Sequence, residues 1–467
     1  MKPDNGTPRP LFFGGFLALV VLAVLALGAV SYAPQPGEYP DPVPLKTSGL
    51  IGSGDSVFSV ASEDARGAEY LPKSNIVKLP TGDLLFAPDG ADAPVTASPD
   101  DEEGTDAALK VAARDRAWLD SGLVPGGSEP EREIAARSLL NLRLLTRANG
   151  ASLAALDDRW DYVWPRDASW ASAALAATGY HEESYEILEF LARTQRDDGT
   201  WEARYHEDGS PVLDGRAYQL DASGWFVWAV WFYKESGGEG TEKLWPEVER
   251  AASAAAVSLG RDGLPPGGAD YWEIRTVRPN LGTSAALLTG LRSASDLAER
   301  LGHDVEAVRY TEAAHRLDTA IDRDFAPNGY TRTAWPTSGR DAAVTFLAPP
   351  FAPPDKSILE EVRATEAVLT APNGGILPGE RWPQEPTVSW TAESAFFMLA
   401  AASSGDERRA DRWLRWLAAH RTELGAFPEK VDADGSPKAA APLGWTDATV
   451  LLALAAKEEP LPTPPAP

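Results

Sequence analysis

The chain has 467 residues, 43% hydrophobic and 24% charged, a balance that permits a sizeable core and excludes wholesale disorder and a polytopic membrane protein. Lys and Arg number 43 against 69 Asp and Glu, a net charge of −26, which argues against a nucleic acid held through its phosphates. The absence of cysteine excludes disulfides and thiolate chemistry, five scattered histidines lacking HExxH spacing argue against a zinc hydrolase, and neither a metal nor a cofactor is expected.

Residues 1–10 form a short lead containing Lys2 and Arg9, and Leu11 to Ala33 then runs for 23 residues without a charge. That length matches the roughly 20 residues a helix needs to cross the hydrocarbon core. A cleaved secretory signal is the rival, but its apolar core is usually about 7–15 residues, and Pro34 argues against cleavage after Ala33. The first charges beyond the span are Glu38 and Asp41, so the positive-inside rule places the N-terminus in the cytoplasm and the rest outside the cell membrane. The expectation is a single-pass anchor over 11–33 with an extracytoplasmic catalytic part, secreted if residues 1–33 are removed.

Residues 34–46 open with five prolines in Pro34–Pro44 and read as a stiff stalk. The stretch 47–125 begins as a small β-containing region, with β-prone pieces at 57–60, 75–79 and 83–86 between Gly, Pro and Asp turns. The acidic run Asp100-Asp101-Glu102-Glu103 reads as a solvated loop closing the β-prone part.

From residue 128 the pattern is helical. Ser128-Glu129-Pro130-Glu131 is a helix start with a capping box. Further helices are expected at 167–178, 182–195, 219–235, 242–259, 281–301, 304–321, 357–369, 390–403, 405–420 and 445–457. In 281–301, Leu287, Leu291, Ala294, Leu297 and Leu301 share one side and Gly302 ends the helix. Helical hairpins with long loops suggest a toroid over 126–459. A repeat solenoid is the rival, but no fixed sequence period supports it. The proline-rich tail 460–467 is expected to be disordered.

The loops carry carboxylates beside aromatics in three clusters, 160–167, 267–275 and 425–435. Hydrolysis of a glycosidic bond needs two carboxyls in different environments, one protonated to serve the leaving oxygen and one ionised to activate water. Glu273, flanked by Tyr271, Trp272 and Ile274, suits the acid, because an apolar wall raises a carboxyl pKa. Glu429, followed by Lys430, suits the base, since a cation favours the ionised form. For any single pair, a surface Glu beside a core Trp is the alternative. Asp432-Ala433-Asp434-Gly435 imitates part of a calcium loop but reads more simply as a turn.

Trp164-Pro165-Arg166-Asp167, Gln219-Leu220-Asp221, Asp270-Tyr271-Trp272-Glu273 and Phe427-Pro428-Glu429 resemble, in this order, motifs of glucoamylase-like enzymes of glycoside hydrolase family 15. The resemblance runs from about Arg137 to Ala456. It implies an all-α catalytic domain, an (α/α)6 barrel whose loops form a pocket for the non-reducing end of an α-glucan or α-linked oligosaccharide. Carried over, Glu273 falls on the general acid and Glu429 on the general base. Arg166 and Asp167 fall on residues that grip the terminal sugar, and Trp164 and Trp272 on aromatics of its pocket. Arg275 and the Arg381-Trp382-Pro383 segment are further candidates for sugar binding. Trp201, Arg204 and Asp221 stand between pocket lining and helix-end packing.

Two departures bear on the substrate. Ile274 stands where starch-cleaving members often have a second Glu, and Lys430 follows the base where Gln is common; the Trp-Glu-Ile-Arg form looks closer to trehalase-like members. The expected activity is exo-acting hydrolysis of α-glucosides with inversion. The alternatives are a surface carbohydrate-binding or envelope protein without useful turnover, and phosphorolysis, which would need a phosphate cradle in place of Glu429.

Overall fold

The computed structural model describes residues 44–157 and 159–466. The expected anchor over 11–33, its lead and most of the stalk lie outside the described residues. Among the described residues no helix is long and apolar enough to cross a membrane.

The first described elements are strands. β1 (Thr47–Ser53) and β2 (Ser56–Ala61) form a hairpin, and β3 (Glu69–Tyr70), β4 (Val77–Lys78), β5 (Leu84–Phe86) and β6 (Val95–Ala97) form a four-stranded antiparallel sheet. β1 was hidden in the sequence by Gly49 and Gly52, which interrupt any alternation. The acidic run differs from expectation. Asp101 is the N-cap of helix α1 (Glu102–Leu119), its carboxylate accepting from the Gly104 amide at 3.0 Å. Glu102 and Glu103 occupy the first turn, where negative charge complements the helix dipole. Ala108, Val111, Ala112, Asp115 and Leu119 form the buried face of α1.

Eleven further α-helices follow, and they alternate between an outer and an inner ring. The outer helices are α2 (Glu129–Leu145), α4 (His181–Thr194), α6 (Trp245–Ser258), α8 (Asp304–Asp324), α9 (Lys356–Leu369) and α11 (Glu407–Ala419). The inner ones are α3 (Pro165–Ala177), α5 (Asp221–Glu235), α7 (Leu281–Leu301), α10 (Thr391–Ser403) and α12 (Gly444–Glu458). The sixth inner member is the short 3₁₀ segment Ala342–Leu347, between α8 and α9. Each inner element packs on the next, and α12 returns to α3, so the ring closes. This is an (α/α)6 barrel with one inner helix reduced to a 3₁₀ turn.

Sequence dictates which ring a helix joins. α5 is buried on every side from Asp221 to Tyr233, as a helix apolar all round must be. α11 buries only Ala410, Trp413, Leu414 and Leu417, a single stripe above a charged face. α5 and α7 touch backbone to backbone: a Cβ on Gly224 would lie 2.2 Å from the Ala286 carbonyl oxygen, so only glycine fits there. α2 begins with the Ser128 capping box, and α7 ends at Gly302 with φ +80°.

The barrel axis is filled by Trp170, Trp225, Trp228, Phe346, Phe351, Phe396 and Trp445. Ring centroids such as Trp170–Phe351 and Phe396–Trp445 are 4.9 Å apart. Much of the tryptophan excess is therefore core filling. Residues 460–466 form no helix or strand, yet Leu461 packs on the core and Pro464 is buried. The tail expected to be disordered thus lies against the barrel, since a proline-rich segment can pack without backbone ladders.

Candidate active site

The inner elements bring their N-terminal ends together. Trp164 precedes α3, Asp221 opens α5, Asp341 caps the 3₁₀ segment and Thr391 opens α10. Thr391 Oγ1 lies 2.7 Å from Thr446 Oγ1 of α12, and the Arg166 guanidinium stacks on Trp445 at 4.9 Å.

Glu273 sits in a tight turn before α7. Its amide donates to the Asp270 carbonyl at 2.7 Å, and the Trp272 amide donates to Asp270 Oδ1 at 3.1 Å. Glu273 has φ +59°, a left-handed conformation that costs a non-glycine residue of order 1–3 kcal/mol and persists only when neighbours impose it. Arg332 imposes it. Its guanidinium donates to both Asp270 oxygens at 2.9 Å and to the Ile274 carbonyl at 3.3 Å. The Tyr271 hydroxyl, 2.6 Å from Asp341 Oδ1, ties the turn to the 3₁₀ segment.

The carboxyl of Glu273 does not face the apolar wall expected from its neighbours. Tyr271 and Trp272 turn inward and are buried, while the Glu273 side chain keeps 27% of its surface exposed. Its Oε1 accepts from Trp164 Nε1 and, at 3.3 Å, from Gln219 Nε2, and its Oε2 is paired with Arg216. The flanking aromatics come from the alternation of the turn, and the carboxyl environment comes from other loops.

Arg166, Asp167 and Asp221 form a buried charged group beside it. Arg166 Nη1 donates to Gln219 Oε1 at 2.6 Å and to Asp221 Oδ2 at 3.2 Å, and Arg166 Nε lies 3.3 Å from Asp167 Oδ2. Burial pushes the Asp167 carboxyl up to about 6 despite Arg166, and raises Asp221 as well. Asp167 Oδ2 and Asp221 Oδ1 are buried without a hydrogen-bond partner. Asp221 is thus packed with Arg166 beside Glu273, and the Arg204 guanidinium stacks on Tyr162 at 4.1 Å and Trp164 at 5.1 Å. Trp201 instead is fully buried, with Nε1 donating to the Leu191 carbonyl at 2.9 Å.

Glu429 is carried by a small sheet of β7 (Ser389–Trp390), β8 (Lys430–Val431) and β9 (Pro437–Lys438). Its amide donates to the Ala440 carbonyl at 2.7 Å, and its carbonyl accepts from the Thr391 amide at 3.1 Å. Lys430 Nζ is 3.8 Å from Glu429 Oε2 and 4.2 Å from the Trp390 ring centre. The cation expected to hold Glu429 ionised is present but does not prevail. Burial raises the Glu429 pKa above the ordinary carboxylate value, against the pull of Lys430 and a hydrogen bond from Trp160. Edge-on contacts of Trp382 with Trp272 at 4.9 Å and with Trp390 at 5.1 Å form an aromatic wall between the two glutamate loops.

Arg275 and Arg381 are exposed on these loops rather than turned into the charged group. The Asp432–Gly435 segment is the hairpin turn between β8 and β9, with Asp432 paired to Lys438. Three side chains near these glutamates carried no sequence signal strong enough to single them out, Arg216, Arg332 and Glu393, while Trp160 stood in the first aromatic–carboxylate cluster without an assigned role. Glu393, in the first turn of α10, is buried with Oε2 unpartnered, and burial together with Glu429 pushes its pKa up to about 8.

Known proteins share this architecture. An uncharacterized glycosyl hydrolase of Methanocaldococcus jannaschii is 25% identical over 348 residues, 68% of this chain. The chain spans about half of that relative's length, 55%. Isomaltose glucohydrolase of Kribbella flavida is 23% identical over 296 residues, 58% of this chain and 74% of the relative. Among solved structures, a bacterial glucoamylase complexed with acarbose superposes with TM-score 0.64 at 19% identity, covering 79% of this chain and 64% of that one, which supports the fold alone. The model of Glycosyl hydrolases family 15 matches residues 129–370, just over half of the chain. The chain belongs to glycosyl hydrolases family 15.

Proposed function

We propose that this enzyme releases sugar from the non-reducing end of α-glucosides with inversion at the anomeric carbon, and that the segment 11–33 holds it on the outer side of the cell membrane. In this reading Glu273 protonates the glycosidic oxygen as the C1–O bond breaks. Glu429 takes a proton from the water that attacks C1 from the opposite face. Arg166, Asp167 and Asp221 grip the hydroxyls of the terminal sugar, and Trp164 and Trp272 line its pocket.

The observation that carries the reading is the difference between the two glutamates. Glu273 is partly open to solvent among the donors Trp164, Gln219 and Arg216, whereas Glu429 is buried against Trp160 and Lys430. Two carboxyls in unlike settings can divide the roles of acid and base. Which glutamate takes which role follows from the family motifs they stand in, since the Arg216 contact and the burial of Glu429 by themselves favour the opposite charge states. The names of the relatives, an isomaltose glucohydrolase and a glucoamylase, favour a short or polymeric α-glucoside. The charge-free span behind Lys2 and Arg9 supports the anchor. The test is incubation with maltose, isomaltose, trehalose and soluble starch, following the anomer of fresh product by NMR. Release of the β-anomer is expected, and an α-anomeric product would overturn the inverting assignment. A C-terminal tag cleaved by protease on intact cells is expected for the anchor, and one cleaved only after lysis would overturn it.

A further inference from the structure

Among the described residues, Arg216 is the cation paired with Glu273. It belongs to the segment between His206 and Gln219, whose outer residues stand in solvent: Leu213 is 83% exposed and the Arg216 side chain 40%. Its position is nevertheless built. Arg216 Nε lies 3.1 Å from Asp214 Oδ2, the same oxygen that accepts from Arg204 Nη2 at 2.6 Å. Arg204 is buried on Tyr162 and Trp164. A fixed arginine thus holds Asp214, and Asp214 holds the Nε edge of Arg216 while its Nη1 reaches Glu273. The surrounding loops add Arg275 and Arg278, just beyond Glu273, and Arg381, beside the Trp382 that packs on Trp272; all three are exposed.

A guanidinium beside a carboxylate favours its ionised form. Glu273 can act as the acid more readily when an anion beyond Asp214 competes for the Nη1 edge of Arg216. We propose that Arg216 is a specificity-determining residue that selects α-glucosides whose leaving half carries a carboxylate or phosphate, the anion drawing the guanidinium from Glu273. Arg216 stays charged throughout. Glu273, open to solvent, takes up a proton from hydronium or a buffer acid once released and passes it to the departing oxygen. The C1–O bond breaks, the bond from C1 to water oxygen forms, and Glu429 receives the water proton, which it afterwards returns to the medium. The inference rests on Glu273 being the acid of the proposed function.

The test uses the full-length chain and three matched substrates, the α-glucosides of glycerol, glycerate and glycerol phosphate, with α-glucosyl fluoride as a fourth. Wild-type kcat/KM is expected to favour at least one anionic substrate over the glycerol compound by about tenfold or more, the scale of a hydrogen bond to a charged group. Arg216→Gln is expected to bring that ratio close to one, while Arg216→Lys, which keeps the charge, retains part of it. The glycerate and glycerol phosphate arms distinguish carboxylate from phosphate. A wild-type ratio near one, or a preference that survives Arg216→Gln, overturns the inference. Turnover of the fluoride together with a ratio near one leaves the hydrolytic reading standing and removes only this one. No turnover of any of the four removes both.

Discussion

Arg332 lies flat against Trp272, its guanidinium carbon 3.7 Å from the indole ring centre. The same side chain is 1% exposed and neutralises Asp270 and Asp341, themselves fully buried, at 2.9 and 3.6 Å. It therefore joins three parts of the site: the turn that bears Glu273, the aromatic wall and the cap of the 3₁₀ segment.

Arg332→Gln is expected to destabilise the fold by about 3–5 kcal/mol, because it leaves buried carboxylates without their cation. Urea unfolding measures this. Arg332→Lys keeps the charge but not the two-pronged contact, so it should recover part of the stability while kcat stays depressed. A lysine variant with wild-type kcat would show that the geometry of the Glu273 turn does not depend on the guanidinium.

Replacement of the two glutamates should separate their roles. Glu273→Gln is expected to lower turnover of natural glucosides by about 10²–10⁴-fold or more, and to matter less for α-glucosyl fluoride, whose departure needs no proton. Glu429→Gln should impair both, since each needs an activated water. Equal losses on both substrates for Glu273→Gln would refute its assignment as the acid.

The acidic limb of the kcat/KM profile should lie above the ordinary carboxylate range, because burial raises the pKa of Glu429 more than Lys430 and Trp160 lower it. Trp160→Phe removes a hydrogen bond that favours the ionised form, so the limb should move to still higher pH. A pH–rate profile in which this variant shifts the limb downward or not at all would contradict the role given to the indole.

How much of this was legible in the sequence depended on whether the signal was local. The helix start at Ser128, the stop at Gly302 and the motif Trp164-Pro165-Arg166-Asp167 concern neighbours along the chain, and they lie where expected. The acidic run at 100–103 was misread because the same residues serve a solvated loop and a helix N-terminus, and only the buried stripe of α1 distinguishes them. Glu273 was identifiable as a carboxylate among aromatics, but its surroundings were not. Trp164 and Arg216 are 109 and 57 residues away in sequence, and Arg332 is 62 residues from Asp270. Glu393 had no flanking signal, since it reads as one polar residue at the start of an apolar helix. Closure of the ring is what makes α10 an inner helix and buries that carboxyl.

Glu393 leads to the last expectation, which concerns stability. Burial pushes its pKa up to about 8, with Glu429 and Asp341 adding to the effect and Lys430 opposing it. Burial likewise raises Asp447 to about 7, against donors from Ser138 and Asn141, and Asp167 and Asp341 to about 6. In the unfolded chain such carboxyls titrate near 4. Between that value and the folded pKa, the native state binds more protons than the unfolded one, so stability falls as pH rises. The stabilising contribution is complete below about pH 4 and is lost as pH climbs through 6, 7 and 8 in turn. The melting temperature should accordingly be higher at pH 5 than at pH 8. Glu393→Gln replaces the neutral acid with an uncharged group of the same shape, so its effect should be small at pH 5. At pH 8 it should stabilise, because it removes a carboxyl that would otherwise ionise without a partner for Oε2. The gap in melting temperature between the two pH values should therefore narrow in the variant, and a gap as wide as in the wild type would show that Glu393 does not titrate in this window.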